Sequence, residues 1–205
     1  MQATAIVDYG MGNLDSVARA VEECGGSPRV TSDPLELARA TTIILPGVGA
    51  FAEGMRNIRE RGLEEALREQ VIGNGVPLLG LCLGMQLLAK IGREGDEVRG
   101  LGWIDAEIDR LEPVEDGERV PHVGWNEVYP TQPSDLFVGL PAGTDFYFVH
   151  SYHMICRSTD DVLATTPYCG GFVSAVGHDH IWGVQFHPEK SRRPGFQILA
   201  NFLGP

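Results

Sequence analysis

Positive charge, cysteine and long apolar runs are all scarce in this sequence. Its 205 residues carry 16 Lys and Arg against 28 Asp and Glu, which gives a formal net charge of −12. Nucleic acids and anionic membrane surfaces repel so acidic a chain, which argues against either as a partner. No apolar run is long enough to span a bilayer. The first residues show no basic region and no signal peptide, so we expect a cytoplasmic protein.

The cysteines and histidines lack the spacing of a metal site. The four cysteines are Cys24, Cys82, Cys156 and Cys169. In an intracellular chain they are expected as free thiols, and all but Cys82 as small inert hydrophobes. His150 and His153 lie at positions that face opposite sides of a strand, and no acidic cluster accompanies them or the pair at 178 and 180. We therefore expect no metal ion.

Two glycine-rich turns fall short of nucleotide-binding motifs. Gly10-Met11-Gly12 lacks the third glycine of a dinucleotide fingerprint, and Gly47-Val48-Gly49 lacks the lysine of a P-loop. We therefore expect no nucleotide and no other cofactor. The segment 46–49, Pro-Gly-Val-Gly, is better explained as a corner at the carboxyl edge of a strand, where backbone N–H groups point into a site.

Strand and helix patterns alternate along the first half of the chain. Strands are predicted near residues 3–8, 29–30 and 42–45, and helices near 14–24, 53–59, 63–72 and after Asp33 as cap with Pro34 first. This alternation predicts a parallel sheet covered by helices on both faces, in one α/β domain of residues 1–205. From Trp103 onward, short β-like segments are predicted at 149–155, 162–166, 172–176 and 181–186, before a closing helix at 195–203. Residues 93–100 and 114–119 are predicted to be polar surface loops.

A thiol stands at the apex of a predicted strand, turn and helix. Residues 77–88, Pro-Leu-Leu-Gly-Leu-Cys-Leu-Gly-Met-Gln-Leu-Leu, pass through Gly-x-Cys-x-Gly into helical spacing. Gly80 and Gly84 flank a turn too tight for side chains, which leaves the Cys82 sulfur projecting at a sheet edge. The sulfur also sits at a helix N-terminus, where unpaired N–H groups and the helix dipole favour thiolate. The pattern indicates a cysteine nucleophile, against the alternative of a buried structural cysteine.

A candidate base follows a predicted strand near the C-terminus. Residues 181–189, Ile-Trp-Gly-Val-Gln-Phe-His-Pro-Glu, alternate in polarity and deliver His187 at the strand exit. Pro188 stiffens this exit, and Glu189 lies two positions on, where an extended chain lets it hydrogen-bond the imidazole. We expect His187 to take the proton of Cys82 and Glu189 to fix the ring orientation, as in a triad. Alone, His-Pro-Glu is more typical of a solvated turn.

Together the two motifs resemble the triad-type, or class I, glutamine amidotransferase family. The resemblance rests on the elbow with Gln86 four residues after the cysteine, and on Gln-Phe-His-Pro-Glu at 185–189. It extends over residues 6–202. The segments 46–49, 121–126 and 147–153, with Lys190, narrow it to the branch of glutaminase subunits of imidazole glycerol phosphate synthase, an enzyme of histidine biosynthesis.

This resemblance implies a fold, an activity, a partner and a set of site residues. The fold is flavodoxin-like, a mostly parallel central sheet flanked by helices, with additional antiparallel strands in the C-terminal half. The activity is hydrolysis of glutamine to glutamate and ammonia, which passes to a cyclase subunit with a (β/α)8 barrel in a heterodimer. Oxyanion contacts are expected from Gly47, Val48 and Leu83, glutamine contacts from Gln86, Gly49, His150, Ser151 and Tyr152, and partner contacts from Tyr147, Trp125, Asn126, Lys190 and Asn13. We expect the corner at 46–49 to turn its N–H away from the site until the partner docks.

Three other interpretations stay open at this point. In the first, the chain is a class I amidotransferase subunit for anthranilate, carbamoyl phosphate or pyridoxal phosphate synthesis. In the second it is a free cysteine hydrolase of γ-glutamyl substrates, and in the third a binding module without catalysis. Lys190 and the segment 147–153 favour the histidine pathway. The segment 168–171, Tyr-Cys-Gly-Gly, departs from the polar-glycine turn that we expect there in the family.

Overall fold

A twisted sheet of thirteen strands forms the centre of the protein, whose computed structural model describes residues 3–204. The strands are β1 (Ala3–Val7), β2 (Ser27–Thr31), β3 (Thr42–Leu45), β4 (Leu78–Leu81), β5 (Ala89–Gly92), β6 (Val98–Arg99), β7 (Ile104–Arg110), β8 (His122–Pro130), β9 (Thr144–His150), β10 (Tyr152–Cys156), β11 (Val162–Thr166), β12 (Phe172–His178) and β13 (Ile181–Val184). The helices are α1 (Leu14–Glu23), α2 (Pro34–Leu37), α3 (Phe51–Glu60), α4 (Leu63–Arg68), α5 (Leu83–Gln86) and α6 (Arg192–Leu203).

The sheet is parallel in its first part and antiparallel in much of the rest. Its strand order is β2-β1-β3-β4-β13-β12-β10-β7-β5-β6. The pairs from β2 through β13 are parallel, whereas β13, β12, β10 and β7 pair antiparallel in turn. Strands β8 and β9 form an antiparallel ribbon, here called the outer ribbon, which joins the sheet through β11. The predicted α/β class, with antiparallel strands in the C-terminal half, is confirmed.

Alternate residues of the central strands feed two hydrophobic cores. Ile43 and Leu45 pack on one face against α3 and α4. Ile44 and Leu79 pack on the other face against α1 and α6. Because both faces are covered, every residue of β3 and β4 is buried. This is why those strands read as unbroken apolar runs in the sequence.

Local signals set where the early helices begin. The Asn13 side-chain oxygen accepts the N–H of Ser16 at 3.4 Å and caps α1. The Asp33 carboxylate accepts the N–H of Leu35 at 2.9 Å, with Pro34 at the first helical position, as predicted for α2. The helix predicted over 63–72 is α-helical only to Arg68 and continues as a π-helical turn, Glu69–Gly73.

Two predicted boundaries are wrong. The strand expected over 149–155 is two strands, β9 and β10, separated at Ser151, a residue that lines the cavity described below. The loop expected over 93–100 contains the edge strand β6, whose Arg99 pairs with Ile91 of β5.

Strands β7 and β8 were not predicted individually. In β7, buried Ile104, Ala106 and Ile108 alternate with acidic residues. Two of these acids are paired with cations outside the strand: the Lys90 ammonium lies 2.8 Å from Asp105 and the Arg157 guanidinium 2.9 Å from Glu107. Cross-strand ion pairing therefore compensates for residue types that disfavour strands.

Across residues 3–204, no helix combines the length and the apolar character that crossing a membrane requires.

Candidate active site

Cys82 occupies a strained turn between β4 and α5. Its φ of 51° and ψ of −107° lie outside the regions that residues with side chains prefer. A Cβ on Gly80 would lie 2.7 Å from the carbonyl oxygen of Gly84, and one on Gly84 would collide with the carbonyl of Leu45. Both glycines are therefore required by close backbone approach, and the predicted elbow is present.

The helix after the elbow is shorter than the sequence predicts. Helix α5 makes one turn, and the chain then enters β5. The carbonyl of Leu87 accepts the N–H of Leu101 at 2.9 Å, and that of Leu88 accepts the N–H of Trp103 at 2.9 Å. Carbonyls used in this way cannot continue a helical ladder. One turn sums few peptide dipoles, so the expected support of a thiolate by the helix N-terminus is reduced.

His187 and Glu189 meet in a buried hydrogen bond. The His187 Nδ1 lies 2.8 Å from the Glu189 carboxylate, and both side chains are 3% exposed. Burial alone lowers the pKa of His187, but interactions with Cys82 and with the Glu189 carboxylate outweigh it and raise that pKa to about 9. The His187 Nε2 is buried and has no hydrogen-bond partner among residues 3–204.

Neighbouring strands bring the thiol and the imidazole together. Strands β4 and β13 are parallel and adjacent, with Leu81 opposite Val184. The backbone N–H of Cys82 donates to the carbonyl of Val184 at 2.8 Å. Cys82 and His187 therefore leave the same carboxyl edge of the sheet, which is where ligands bind in open α/β folds.

A cavity of about 480 Å³ opens beside Cys82. It is lined by Val48, Gly49, Ala50, Cys82, Leu83, Gln86, Glu94, Val149, His150, Ser151 and Tyr152. All five residues expected to bind glutamine are in this lining. Gly47 and the His187–Glu189 pair lie outside it.

Glu94 is a cavity residue that the sequence analysis missed. Its carboxylate accepts the N–H of Phe51 at 2.7 Å and thereby fixes the start of α3. The sequence around it, Arg-Glu-Gly-Asp-Glu, shows no apolar periodicity and so predicts a polar surface loop. The strand pair β5 and β6, which folds this segment over the site, was the missing information.

The backbone N–H of Leu83 is already engaged. It donates to the carbonyl of Gly47 at 3.3 Å. In this arrangement the 46–49 corner presents an acceptor, not a donor, to the atom expected to hold the oxyanion. An oxyanion needs hydrogen-bond donors. The peptide between Gly47 and Val48 therefore has to rotate before the N–H of Val48 and the N–H of Leu83 can both donate to it.

Two buried histidines connect the cavity wall to the outer ribbon. His150 Nδ1 lies 2.8 Å from the carbonyl of Tyr152, His150 Nε2 lies 3.0 Å from His122 Nδ1, and His122 Nε2 lies 3.3 Å from the Asn126 amide nitrogen. A carbonyl can only accept, so a single set of tautomers satisfies the series, with both rings neutral. Burial lowers the pKa of His122 to about 4 and that of His150 to about 3.

The residues expected at the partner face cluster around the outer ribbon. Trp125 and Tyr147 are opposite each other in β8 and β9, with ring centroids 6.1 Å apart. The Lys190 ammonium lies 5.8 Å from the Tyr147 ring, and the Arg192 guanidinium, not predicted, lies 5.3 Å from the Trp125 ring. Asn13, by contrast, is used as the α1 cap.

Comparison with known proteins identifies the family of the chain. A family model described as "Glutamine amidotransferase class-I" matches residues 5–204. A relative from Moorella thermoacetica named "Imidazole glycerol phosphate synthase subunit HisH" is 50% identical over 202 residues, covering 98% of this chain and 94% of its own length. A second, from Nitrobacter winogradskyi and named "Imidazole glycerol phosphate synthase subunit HisH 2", is 44% identical over 99% of this chain and 98% of its own length.

Solved structures agree on the fold. A putative GMP synthase subunit from Thermoplasma acidophilum superposes with a TM-score of 0.76, at 22% identity over 100% of this chain and 93% of that one. A structure described as a glutamine amidotransferase has a TM-score of 0.71, at 23% identity over 96% of this chain and 98% of that one. The elbow, the adjacent His-Pro-Glu segment and the match along residues 5–204 lead to one conclusion: the chain belongs to the class I glutamine amidotransferase family.

Proposed function

We propose that this chain is the glutaminase subunit of an imidazole glycerol phosphate synthase. The observation that carries the proposal is the elbow thiol of Cys82 beside the buried His187–Glu189 pair, at the edge of the cavity. The relatives at 50% and 44% identity, both named as subunits of that synthase, favour this activity over the other class I amidotransferases.

In the proposed reaction the Cys82 thiolate attacks the side-chain amide carbon of glutamine. The bond from carbon to nitrogen then breaks, and protonated His187 gives its Nε2 proton to the departing ammonia. Water, deprotonated by His187, then attacks the glutamyl thioester, the bond from carbon to sulfur breaks, and glutamate leaves while the Cys82 thiolate and protonated His187 are restored. Glu189 holds the imidazole through Nδ1 and stabilises its protonated form, which is consistent with the raised pKa of His187.

Glutamine is proposed to bind with its α-ammonium group toward Glu94. This carboxylate is the acidic side chain of the cavity lining, which it shares with Gln86, Ser151 and Tyr152. An ammonium and a carboxylate form a charge-assisted hydrogen bond, which is the strong kind in a partly enclosed site. The assignment of Gln86, Gly49, His150, Ser151 and Tyr152 to glutamine binding is part of the same proposal.

Ammonia is proposed to pass to a cyclase subunit with a (β/α)8 barrel, in a heterodimer that docks on the outer ribbon. The cyclase would join the ammonia to an N-linked ribulosyl aminoimidazole carboxamide ribonucleotide. Trp125 is 45% exposed and carries a cation–π contact with Arg192, a combination typical of interface anchors. Tyr147, Lys190, Asn126 and Asn13 complete the proposed face.

Docking is proposed to switch on hydrolysis through the 46–49 corner. In the free chain the Gly47 carbonyl occupies the Leu83 N–H. A partner that binds the rotated corner more tightly shifts the population toward it, and both N–H groups then face the oxyanion. Glutamine hydrolysis should be slow for the chain alone and faster with the cyclase and its ligand. Equal rates in all three conditions would favour a free γ-glutamyl hydrolase instead.

The proposed function is tested by Cys82→Ala in complex with the cyclase subunit of the same organism. Glutamine-dependent synthesis should be lost, whereas synthesis from added ammonia should persist, because the cyclase site lies on the other subunit. Cys24→Ala is the matched control, since Cys24 donates its thiol to the Phe196 carbonyl, away from the elbow. A glutamine-dependent rate near that of the native chain in Cys82→Ala would contradict the proposal.

A further inference from the structure

The Cys82 sulfur has a hydrogen-bond donor that the triad does not include. The side-chain amide nitrogen of Gln185 lies 3.6 Å from it, within the reach of an N–H to sulfur hydrogen bond. Gln185 is fully buried, two positions before His187 on the strand exit. A buried amide beside a thiol can either donate to the sulfur or turn its oxygen toward it. Which of these holds decides its effect on a thiolate.

A series of contacts fixes the orientation of that amide. Gln86 Nε2 lies 3.0 Å from the carbonyl of Tyr152, and a carbonyl accepts only from a donor, so the nitrogen of Gln86 has to face it. The same nitrogen lies 3.0 Å from Gln185 Oε1. The oxygen of Gln185 is thereby committed to Gln86, and its N–H groups are left facing Cys82. A flip of the Gln86 amide would bring its oxygen against the Tyr152 carbonyl oxygen, and a flip of the Gln185 amide would bring its nitrogen against Gln86 Nε2, donor against donor.

The Tyr152 carbonyl at the head of this series is itself held in place. It accepts from His150 Nδ1 at 2.8 Å, and His150 accepts from His122 at 3.0 Å. Both histidines are buried, 7% and 3% exposed. The orientation at the sulfur therefore depends on a rigid, fully paired polar series and not on a mobile surface group.

We propose that Gln185 is a further catalytic residue: its N–H donates to the Cys82 sulfur and stabilises the thiolate over the thiol, with Gln86 as the positioning residue that sets its direction. The proposal rests on the role of Cys82 as nucleophile. It supplies a source of thiolate stabilisation that the one-turn helix α5 gives only weakly. Hydrogen bonds to charged groups are stronger than those to neutral ones, so this contact gains strength when the thiol loses its proton.

Other ionisable groups act on the same sulfur and have to be held constant. These are His187 after β13, Tyr9 after β1, and His150 and Glu94 across the cavity. None of them forms a hydrogen bond with the Gln185 side chain, whose partners within residues 3–204 are Gln86 and Cys82. A change at Gln185 alone therefore leaves these groups in place, and a difference between variant and native chain isolates the amide.

The test is the pH dependence of Cys82 alkylation by iodoacetamide in the full chain, followed by mass spectrometry of the peptide that contains residue 82. Gln185→Met keeps the length of the side chain and removes the donor. The midpoint of the rate curve should move to higher pH by about one unit, with the plateau at high pH unchanged. Gln70→Met is the matched control, because Gln70 is also a buried glutamine, bonded to Asn74 remote from the elbow.

A second variant carries the test if Gln185→Met does not fold. Gln86→Met frees the Gln185 amide to rotate and should move the midpoint in the same direction by less. Where Gln185→Met does fold, the double variant should move the midpoint no further than Gln185→Met alone, because Gln86 acts through Gln185. A midpoint equal to that of the Gln70→Met control, or additive shifts, would overturn the inference. The readout needs neither glutamine nor the cyclase, so a failed proposed function and a failed role for Gln185 give different results.

Discussion

The backbone N–H of His187 donates to the carbonyl of Tyr147 at 2.9 Å, which ties the candidate base to the outer ribbon. The link is closed by Ser191, a fully buried residue that the sequence analysis missed. Its hydroxyl donates to the His187 carbonyl at 2.6 Å and accepts the N–H of Tyr147 at 3.0 Å. Any displacement of Tyr147 would therefore act directly on the backbone of His187.

Ser191→Ala should lower both stability and glutamine hydrolysis. The change leaves the Tyr147 N–H buried without a partner, which costs about 1–3 kcal/mol of unfolding free energy. Ser174→Ala is the control, because the Ser174 hydroxyl is equally buried but unpaired within the described chain. Urea unfolding of both variants measures the difference. Equal losses for the two serines would show that the Ser191 hydrogen bonds do not stabilise the fold.

Glu189→Gln and His187→Ala should differ in severity. Glutamine at 189 keeps the shape of the side chain but not its charge, so the imidazole stays in the site with less support for its protonated form. His187→Ala removes the base itself and should reduce glutamine turnover by roughly a further hundredfold. The comparison is made by measuring single-turnover rates of glutamine hydrolysis for both variants in the complex with the cyclase. Equal losses would mean that the two residues act as one inseparable unit.

Glu94→Gln should raise the KM for glutamine by about tenfold or more, because the amide keeps the α3 contact but loses the charge that attracts an ammonium group. Ammonia-dependent synthesis should not change. Glu97→Gln is the control on the same segment, since Glu97 is 63% exposed and pairs only loosely, at 3.6 Å, with Arg93. If both variants bind glutamine as the native chain does, Glu94 is not a substrate contact.

Acid should destabilise the protein through His122 and His150. Their folded pKa values, about 4 and about 3, lie below the usual value of 6.5, so the unfolded chain binds more protons between these limits. The contribution of these two histidines to stability is therefore complete above pH 6.5 and falls as the pH falls. At pH 5 the loss is about 2 kcal/mol for each histidine.

His122→Phe removes one of the two titrating groups and keeps the ring stacked on Tyr168, 4.1 Å away. The fall in unfolding free energy between pH 7.5 and pH 5 should be smaller in this variant than in the native chain. His178→Gln should instead enlarge the fall, because a hydrogen bond with the Asp161 carboxylate raises the pKa of the exposed His178, and that contribution to stability grows as the pH falls. An unchanged slope in His122→Phe would show that the buried pair does not control acid stability.

Local sequence rules were sufficient for the elbow and for the central strands. Gly80 and Gly84 encode the turn through their own lack of side chains, and the unbroken apolar run of β4 encodes a strand buried on both sides. The length of α5 is not local information, because carbonyls of Leu87 and Leu88 are claimed by residues 101–104. The cavity position of Glu94 depends in the same way on strands that pair across the chain. Sequence patterns indicate the conformation that a segment prefers by itself. The end of α5 and the position of Glu94 depend instead on pairing with residues that are distant in the sequence.

The placement of β13 between β4 and β12 has a consequence for the newborn polypeptide. Translation releases the segment that carries Cys82 long before the one that carries His187. Until β13 inserts, an emerging or C-terminally shortened chain lacks both the Val184 carbonyl that accepts the Cys82 N–H and the imidazole of His187. Parallel pairing between distant segments is also slow to form. Under the proposed mechanism, the Cys82 thiol is therefore without its base through most of the chain's assembly and gains it when β13 inserts.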